Sequence, residues 1–214
     1  MCGQKSSDHD GYYEKRSDQS QPGNDDPSWC DAIHGEYDGK ISGKYTSHHP
    51  DIRFVIHDGS TFTLKDELEN GILDVTTLRT PIALNGFCSK LLRQEQLMAM
   101  VPQGQEEEGL RELTLEELAG HHLILSKRHR KYVLSIFEKH GLSCDVYYEC
   151  EDARTAMSLA ASGLGTAILP ASMRGQSEKI CPIPIAEKEL ITDVLLVWRN
   201  EEHSDVVESF IREF

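Results

Sequence analysis

The chain has 214 residues, with 36 Asp and Glu against 22 Lys and Arg, and its formal net charge is −14. This acidic surplus excludes broad binding to nucleic-acid phosphates, which needs a face rich in Lys and Arg, and it disfavours adhesion to an anionic membrane. No apolar run approaches the roughly 20 residues of a membrane span, and the start lacks a signal-peptide core. The six cysteines form no CxxC pair. These features predict a soluble, cytoplasmic protein of one domain or two small lobes.

Residues 1–50 differ in composition from the rest of the chain. They contain no Leu, Val or Phe, and their only branched aliphatic residues are Ile33 and Ile41. Such a segment cannot bury enough apolar surface to offset the ordering entropy of the backbone, roughly 1–2 kcal/mol per residue. We therefore predict that residues 1–44 are polar and disordered.

From residue 51 onward, predicted strands alternate with predicted helices. Apolar alternation predicts a strand over 51–57, and helical spacing followed by a glycine predicts a helix over 59–71. The same criteria predict strands over 73–78, 95–102, 122–126, 145–150, 166–170, 181–185 and 193–199. They predict further helices over 113–120, where Thr114 and Glu117 have capping-box spacing, and over 129–141, 152–165 and the segment after Ser204. This order predicts an α/β fold with mostly parallel sheets covered by helices on both faces.

Five segments resemble, in order and spacing, the effector-binding domain of LysR-type transcriptional regulators. They read HPDIRFVIHDGSTFTLKDELENGILDVTTLRTPI, LLRQEQLMAMVPQGQ, LTLEELAGHHLIL, FEKHGLSCDVYYECEDARTAMSLAASGLGTAILP and DVLLVWRNEEHSDVVESFIREF. The resemblance covers residues 45–214. It implies a two-lobed fold of the periplasmic-binding-protein type 2, with two crossover strands and the effector in the cleft. The first lobe would comprise residues 45–95 plus 190–214, and the second lobe residues 96–189.

Near its start, the sequence departs from the pattern of the family. Members of the family begin with a winged helix-turn-helix and a linker helix used for dimerisation, and residues 1–44 lack the apolar periodicity of either. The receptor domain also normally opens with a strand and a helix, of which only the tail is recognisable here. We therefore expect a truncated or frame-disrupted product without its own DNA-binding domain. Upstream nucleotides read in another frame would then encode the missing parts.

Two turns of the predicted first lobe carry candidate effector contacts. Ser60 and Thr61 lie where a strand leads into a helix, and hydroxyls beside free N–H groups suit a carboxylate or phosphate. The resemblance places effector contacts at the same turn, although a plain N-cap is the alternative. Arg79 and Thr80 follow a strand end, where open α/β sheets bind ligands. A guanidinium can grip a carboxylate there, or it can pair with a surface acid.

The predicted second lobe carries the other candidates. Ser126 and Arg128 belong to the basic cluster SKRHRK at 126–131, at a helix start where the macrodipole disfavours cations. An anionic effector would compensate this charge, and pairing with nearby Glu residues is the alternative. Thr155 begins another helix, where the resemblance places cleft residues. The small residues after it indicate helix–sheet packing.

No pattern indicates catalysis or a metal site. The ten histidines and six cysteines show no HExxH, CxxC or three-ligand spacing, and GxSxG and P-loop motifs are absent. We expect no cofactor, no metal and no enzymatic activity. The resemblance implies a small, anionic metabolite as effector and a homodimer or tetramer formed through the receptor domain. DNA would be bound only through a helix-turn-helix absent from this chain. A free-standing solute-binding protein of the same fold is the alternative, and an enzyme is a third possibility.

Overall fold

The computed structural model of the protein describes residues 29–31, 45–57, 59–105 and 111–214. Nine strands are assigned within these ranges: β1 (Trp29–Asp31), β2 (Arg53–Val55), β3 (Val75–Arg79), β4 (Phe87–Pro102), β5 (His122–Ser126), β6 (Asp145–Cys150), β7 (Thr166–Pro170), β8 (Ile180–Pro184) and β9 (Ile191–Arg199). The principal helices are α1 (Thr61–Glu69), α2 (Leu115–Ala119), α3 (Lys127–Lys139), α4 (Ala153–Ala161) and α5 (Asp205–Glu213), and a 3₁₀ turn spans Ala171–Met173.

One seven-stranded sheet system runs through both lobes, in the order β3-β9-β4-β7-β5-β6, with β8 also paired to β4. Strand β5 is parallel to β6 and β7, whereas β4 is antiparallel to β7, β8 and β9, and β3 is antiparallel to β9. The sheets are therefore mixed, which corrects the prediction of mostly parallel sheets. Parallel pairing requires a crossover connection, and β4 and β9 instead run in opposite directions between the lobes.

The long strand β4 connects the two lobes. Its first part, Phe87–Gln96, pairs with β9, and its last part, Leu97–Pro102, pairs with β7 and β8. Our prediction placed the start of this strand at residue 95. The earlier part escaped notice because its apolar residues Phe87, Leu91 and Leu92 do not alternate regularly with polar residues, as they would in a half-buried strand.

Each lobe has apolar side chains on both faces of its sheet. In the second lobe, β5 directs Leu123 and Leu125 to one core and Ile124 to the other, as the alternation of a strand requires. In the first lobe, Val75 packs with α5 on one face, whereas Leu78 packs with α1 on the other. The two-lobed α/β fold class is thus confirmed.

The N-terminal part of the chain departs from the predicted disorder at one point. Trp29–Asp31 form β1, which pairs in parallel with β2. The rest of the predicted disordered segment, residues 1–28 and 32–44, lies outside the described residues. Within the described ranges, every helix is too short or too polar to cross a membrane.

Candidate functional site

A cavity of about 280 Å³ lies between the two lobes. The first lobe contributes the start of α1 and the end of β3, and the second lobe contributes the starts of α3 and α4. The crossover strands contribute Arg93 from β4 and Val194 from β9. The cavity is therefore positioned by strand ends, helix starts and the connection between the lobes.

Five of the seven predicted effector-binding residues line this cavity: Ser60, Thr61, Arg79, Ser126 and Arg128. They come from positions up to 68 residues apart in the sequence and meet because β3 and β5 end at the same cleft. Their common position is the reason that we examine this cavity as the candidate site.

Thr80 lies outside the cavity lining and binds the crossover strand. Its hydroxyl accepts a hydrogen bond from the backbone N–H of Asp193 at 2.8 Å, and its carbonyl accepts one from the hydroxyl of Thr192 at 2.7 Å. Both contacts tie the end of β3 to β9. The structure therefore gives Thr80 a structural role beside the cavity.

Thr155 also lies outside the lining and forms part of a helix cap. Its backbone N–H and its hydroxyl donate to the carboxylate of Asp152, at 2.9 Å and 3.1 Å. Burial raises the pKa of Asp152, but the hydrogen bonds from Thr155, with the backbone N–H and the charge of Arg154, outweigh burial and hold that pKa below its usual value. Asp152 itself lines the cavity, so that the cap supplies an anionic edge to the site.

The first turns of three helices converge on the cavity. Ser60 caps α1 by accepting from the N–H of Thr63, and Asp152 caps α4. The N-cap of α3, Ser126, makes no such bond, and its hydroxyl instead shares a 3.1 Å hydrogen bond with Nδ1 of His129. Helix N-termini carry partial positive charge and exposed N–H donors. The convergence therefore favours an anion in the cavity.

Four arginines line the cavity: Arg79, Arg93, Arg128 and Arg154. The sequence patterns predicted Arg79 and Arg128 as effector contacts. They did not indicate Arg93, which lies in the unpredicted part of β4, or Arg154, which lies in the first turn of α4. A charged residue in a half-exposed strand has no sequence signal that distinguishes a cleft from open solvent.

Arg79 is paired with a buried acid, not with a surface acid as our alternative supposed. Its Nη1 lies 3.2 Å from a carboxylate oxygen of Glu95, and Arg93 contacts the other oxygen of the same carboxylate. The backbone N–H of Ser172 donates to Glu95 at 3.3 Å. Burial raises the pKa of Glu95, but Arg79, Ser172 and Arg93 together outweigh burial and lower that pKa overall. Glu95 thus stays ionised and holds two cavity arginines in place.

The basic cluster at 126–131 divides into two parts. Lys127 pairs with Glu151 at 3.1 Å and Arg130 pairs with Glu149 at 2.8 Å, both at exposed positions, as our alternative for this cluster supposed. Arg128 behaves differently, because its side chain lines the cavity and its Nη1 donates to the hydroxyl of Thr61. The second lobe thereby contacts the first.

His129 is a buried residue beside the site, and no sequence pattern predicted its role. Its side chain is fully buried, and its pKa is lowered to about 3 by burial and by the positive charges of Arg128 and Arg79, against an opposing effect of the Thr80 backbone. The imidazole is therefore neutral at physiological pH. The described ranges contain no cluster of three or more His, Cys, Asp or Glu side chains suited to a metal ion.

Comparisons with known proteins agree on the family. The model of the LysR substrate binding domain matches residues 40–214, which begins slightly before the boundary at residue 45 that we predicted. The HTH-type transcriptional regulator BenM of Acinetobacter baylyi is 26% identical over 178 residues, covering 79% of this chain and 59% of BenM. An uncharacterized HTH-type transcriptional regulator of Bacillus subtilis, YybE, is 29% identical over 174 residues, covering 79% of this chain and 60% of YybE.

Solved structures give the same result. The BenM effector binding domain with its effector benzoate has a TM-score of 0.69 and 25% identity, and the match covers 81% of this chain and 82% of that one. HinK, a LysR family regulator from Pseudomonas aeruginosa, has a TM-score of 0.75 at 20% identity, covering 88% of this chain and 69% of HinK; at that identity it supports the fold alone. These relatives are transcriptional regulators, not enzymes.

The chain spans about 60% of the length of the curated relatives named above. The matched part of the family is its substrate binding domain. The chain therefore belongs to the LysR substrate-binding domain family of transcriptional regulators.

Proposed function

We propose that this chain senses a small anionic metabolite, bound in the cavity between its two lobes, and that binding controls transcription. The single observation that carries this proposal is the convergence of four arginines and three helix N-termini on one cavity. A carboxylate matches both features, because guanidinium groups bind it through paired hydrogen bonds and helix N-termini favour negative charge. Ser60, Thr61, Arg79, Ser126 and Arg128 would contact it.

The acidic groups at the cavity limit the excess of positive charge. Glu95 does not line the cavity, but its carboxylate partly neutralises the charges of Arg79 and Arg93. Glu151 and Asp152 line the cavity directly. A small acid fits this mixture better than a polyanion, because a polyanion would bring several charges close to these carboxylates. The cavity volume of about 280 Å³ also suits a compact metabolite.

The lobe boundaries that we propose are residues 45–95 plus 190–214 for the first lobe and residues 96–189 for the second. The pairing of β4 supports these boundaries, because β4 pairs with β9 as far as Gln96 and with β7 from Leu97 onward. An effector shifts the equilibrium between open and closed arrangements of the lobes only if it binds one arrangement more tightly than the other. The output would be a reoriented DNA-binding domain in a cytoplasmic homodimer or tetramer.

A panel of small carboxylates, with benzoate among them because it is the effector in the BenM structure, tests the proposal. Binding is measured by thermal shift and then by isothermal titration calorimetry. A carboxylate at 100 times its dissociation constant stabilises the folded chain by about 2.7 kcal/mol. Stabilisation by no member of the panel would contradict the proposal.

Variants at two arginines locate the site. Arg128→Ala is expected to weaken binding of the best carboxylate by at least tenfold, since a hydrogen bond to a charged group contributes about 1.5–3 kcal/mol. Arg212→Ala is the matched control, because Arg212 is exposed on α5 and pairs with Glu208 there. Equal affinities of wild type and Arg128→Ala would exclude Arg128 from the site.

A further inference from the structure

The hydrogen bond from Arg128 to Thr61 joins the two lobes directly. Thr61 is the first residue of α1, which packs against the first-lobe sheet at Leu64 and Leu68. Arg128 lies in the first turn of α3, which packs against the second-lobe sheet at Val133 and Phe137. The two residues are 67 positions apart, and each lies at the start of a helix that packs against the core of its own lobe. The bond therefore requires the lobes to be close together.

The neighbours of Arg128 show that this contact is not a general property of the basic cluster. Lys127 and Arg130 are neutralised within the second lobe by Glu151 and Glu149. Arg128 instead extends over the cavity to an uncharged hydroxyl of the other lobe. Both groups of the bond belong to the protein, so that its formation does not depend on a bound anion.

We propose that the Arg128–Thr61 hydrogen bond is a latch that stabilises the closed arrangement of the lobes and holds Arg128 in position for an anion. A guanidinium has five N–H donors, and the bond to Thr61 uses one of them. A long, flexible side chain that is already held loses less entropy on binding. In this role Thr61 is a positioning residue, and the proposal rests on the proposed function only for the identity of what enters the cavity.

Hydrogen–deuterium exchange of the full chain without added carboxylate tests the latch. The two segments to follow are residues 59–66 and 126–132, which carry the cavity-facing turns of α1 and α3. Thr61→Val removes the acceptor but keeps the branched shape, and it is expected to raise the open population and the exchange of both segments by about tenfold. Thr61→Ser keeps the hydroxyl and is expected to exchange like wild type.

Two results would overturn the latch: unchanged exchange in Thr61→Val, and equal increases in Thr61→Val and Thr61→Ser. If unchanged exchange in Thr61→Val is accompanied by weaker benzoate binding, Thr61 is a simple ligand contact and the proposed function stays intact. Faster exchange in Thr61→Val alone, in a chain that binds no carboxylate of the panel, would support the latch and contradict the proposed function.

Discussion

The buried imidazole of His129 makes the stability of this domain depend on pH in a window that the structure defines. The pKa of His129 is about 3 in the folded chain, against 6.5 for the unperturbed side chain. Between these values the unfolded chain binds a proton that the folded chain does not bind. Stability is therefore expected to fall as the pH decreases through this window.

The magnitude follows from the difference in pKa. Each pH unit below 6.5 costs about 1.4 kcal/mol for one such group, so that a decrease from pH 6.5 to pH 5 lowers the free energy of unfolding by roughly 2 kcal/mol. The lowered pKa of Glu95 acts in a different window, because its stabilising effect is lost only below the ordinary value of 4.5. The range from pH 7 to pH 5 therefore separates the effect of His129 from that of Glu95.

Urea unfolding at pH 7 and pH 5, followed by far-ultraviolet circular dichroism, measures this dependence in wild type and in His129→Gln. The variant lacks the titrating group, so the difference in unfolding free energy between the two pH values is expected to shrink by roughly 2 kcal/mol. His122→Gln is the control, because His122 is an exposed histidine paired with Asp145. Equal pH dependence in wild type and His129→Gln would refute the reasoning.

Two further predictions concern residues that stabilise the fold outside the cavity lining. Gly165→Ala is expected to destabilise the chain by roughly 2–4 kcal/mol, because φ is +153° and a Cβ would lie 2.3 Å from the carbonyl oxygen of His122. Gly175→Ala, with φ of +81° and no atom within 4 Å, should cost only about 1 kcal/mol; equal urea midpoints for the two variants would contradict this account. Thr114→Ala removes the capping box with Glu117 and should lower the free energy of unfolding by about 1 kcal/mol without changing carboxylate affinity, which titration calorimetry checks.

The local features of the fold were predictable because they depend on residues three or four positions apart. The capping box of α2 occurs at the predicted position. Helices α4 and α5 begin directly after Asp152 and Ser204, close to the predicted helix starts. Strands β5, β6 and β7 have the predicted bounds. The first part of β4 was missed because a crossover strand with exposed side chains lacks an apolar pattern.

The candidate site shows the same division between local and distant information. Ser60, Thr61 and Ser126 could be selected because a hydroxyl at a helix start has a recognisable local context. Glu95 and His129 could not be selected, because their roles depend on partners such as Arg79 and Arg128 that only the folded chain brings near.

The sequence by itself determined the family, through the resemblance of five segments to LysR effector-binding domains. It also determined the order of most elements and the turns that could bind an anion, since these follow from periodicity and short-range spacing. Only the tertiary structure decided which of those turns face one cavity. In the folded chain, Thr80 and Thr155 form hydrogen bonds beside the cavity and do not line it. Arg93 and Arg154 line the cavity, and Arg128 donates a hydrogen bond to Thr61. Such contacts depend on how β4 and β9 set the two lobes against each other, and no local pattern in the chain encodes that geometry.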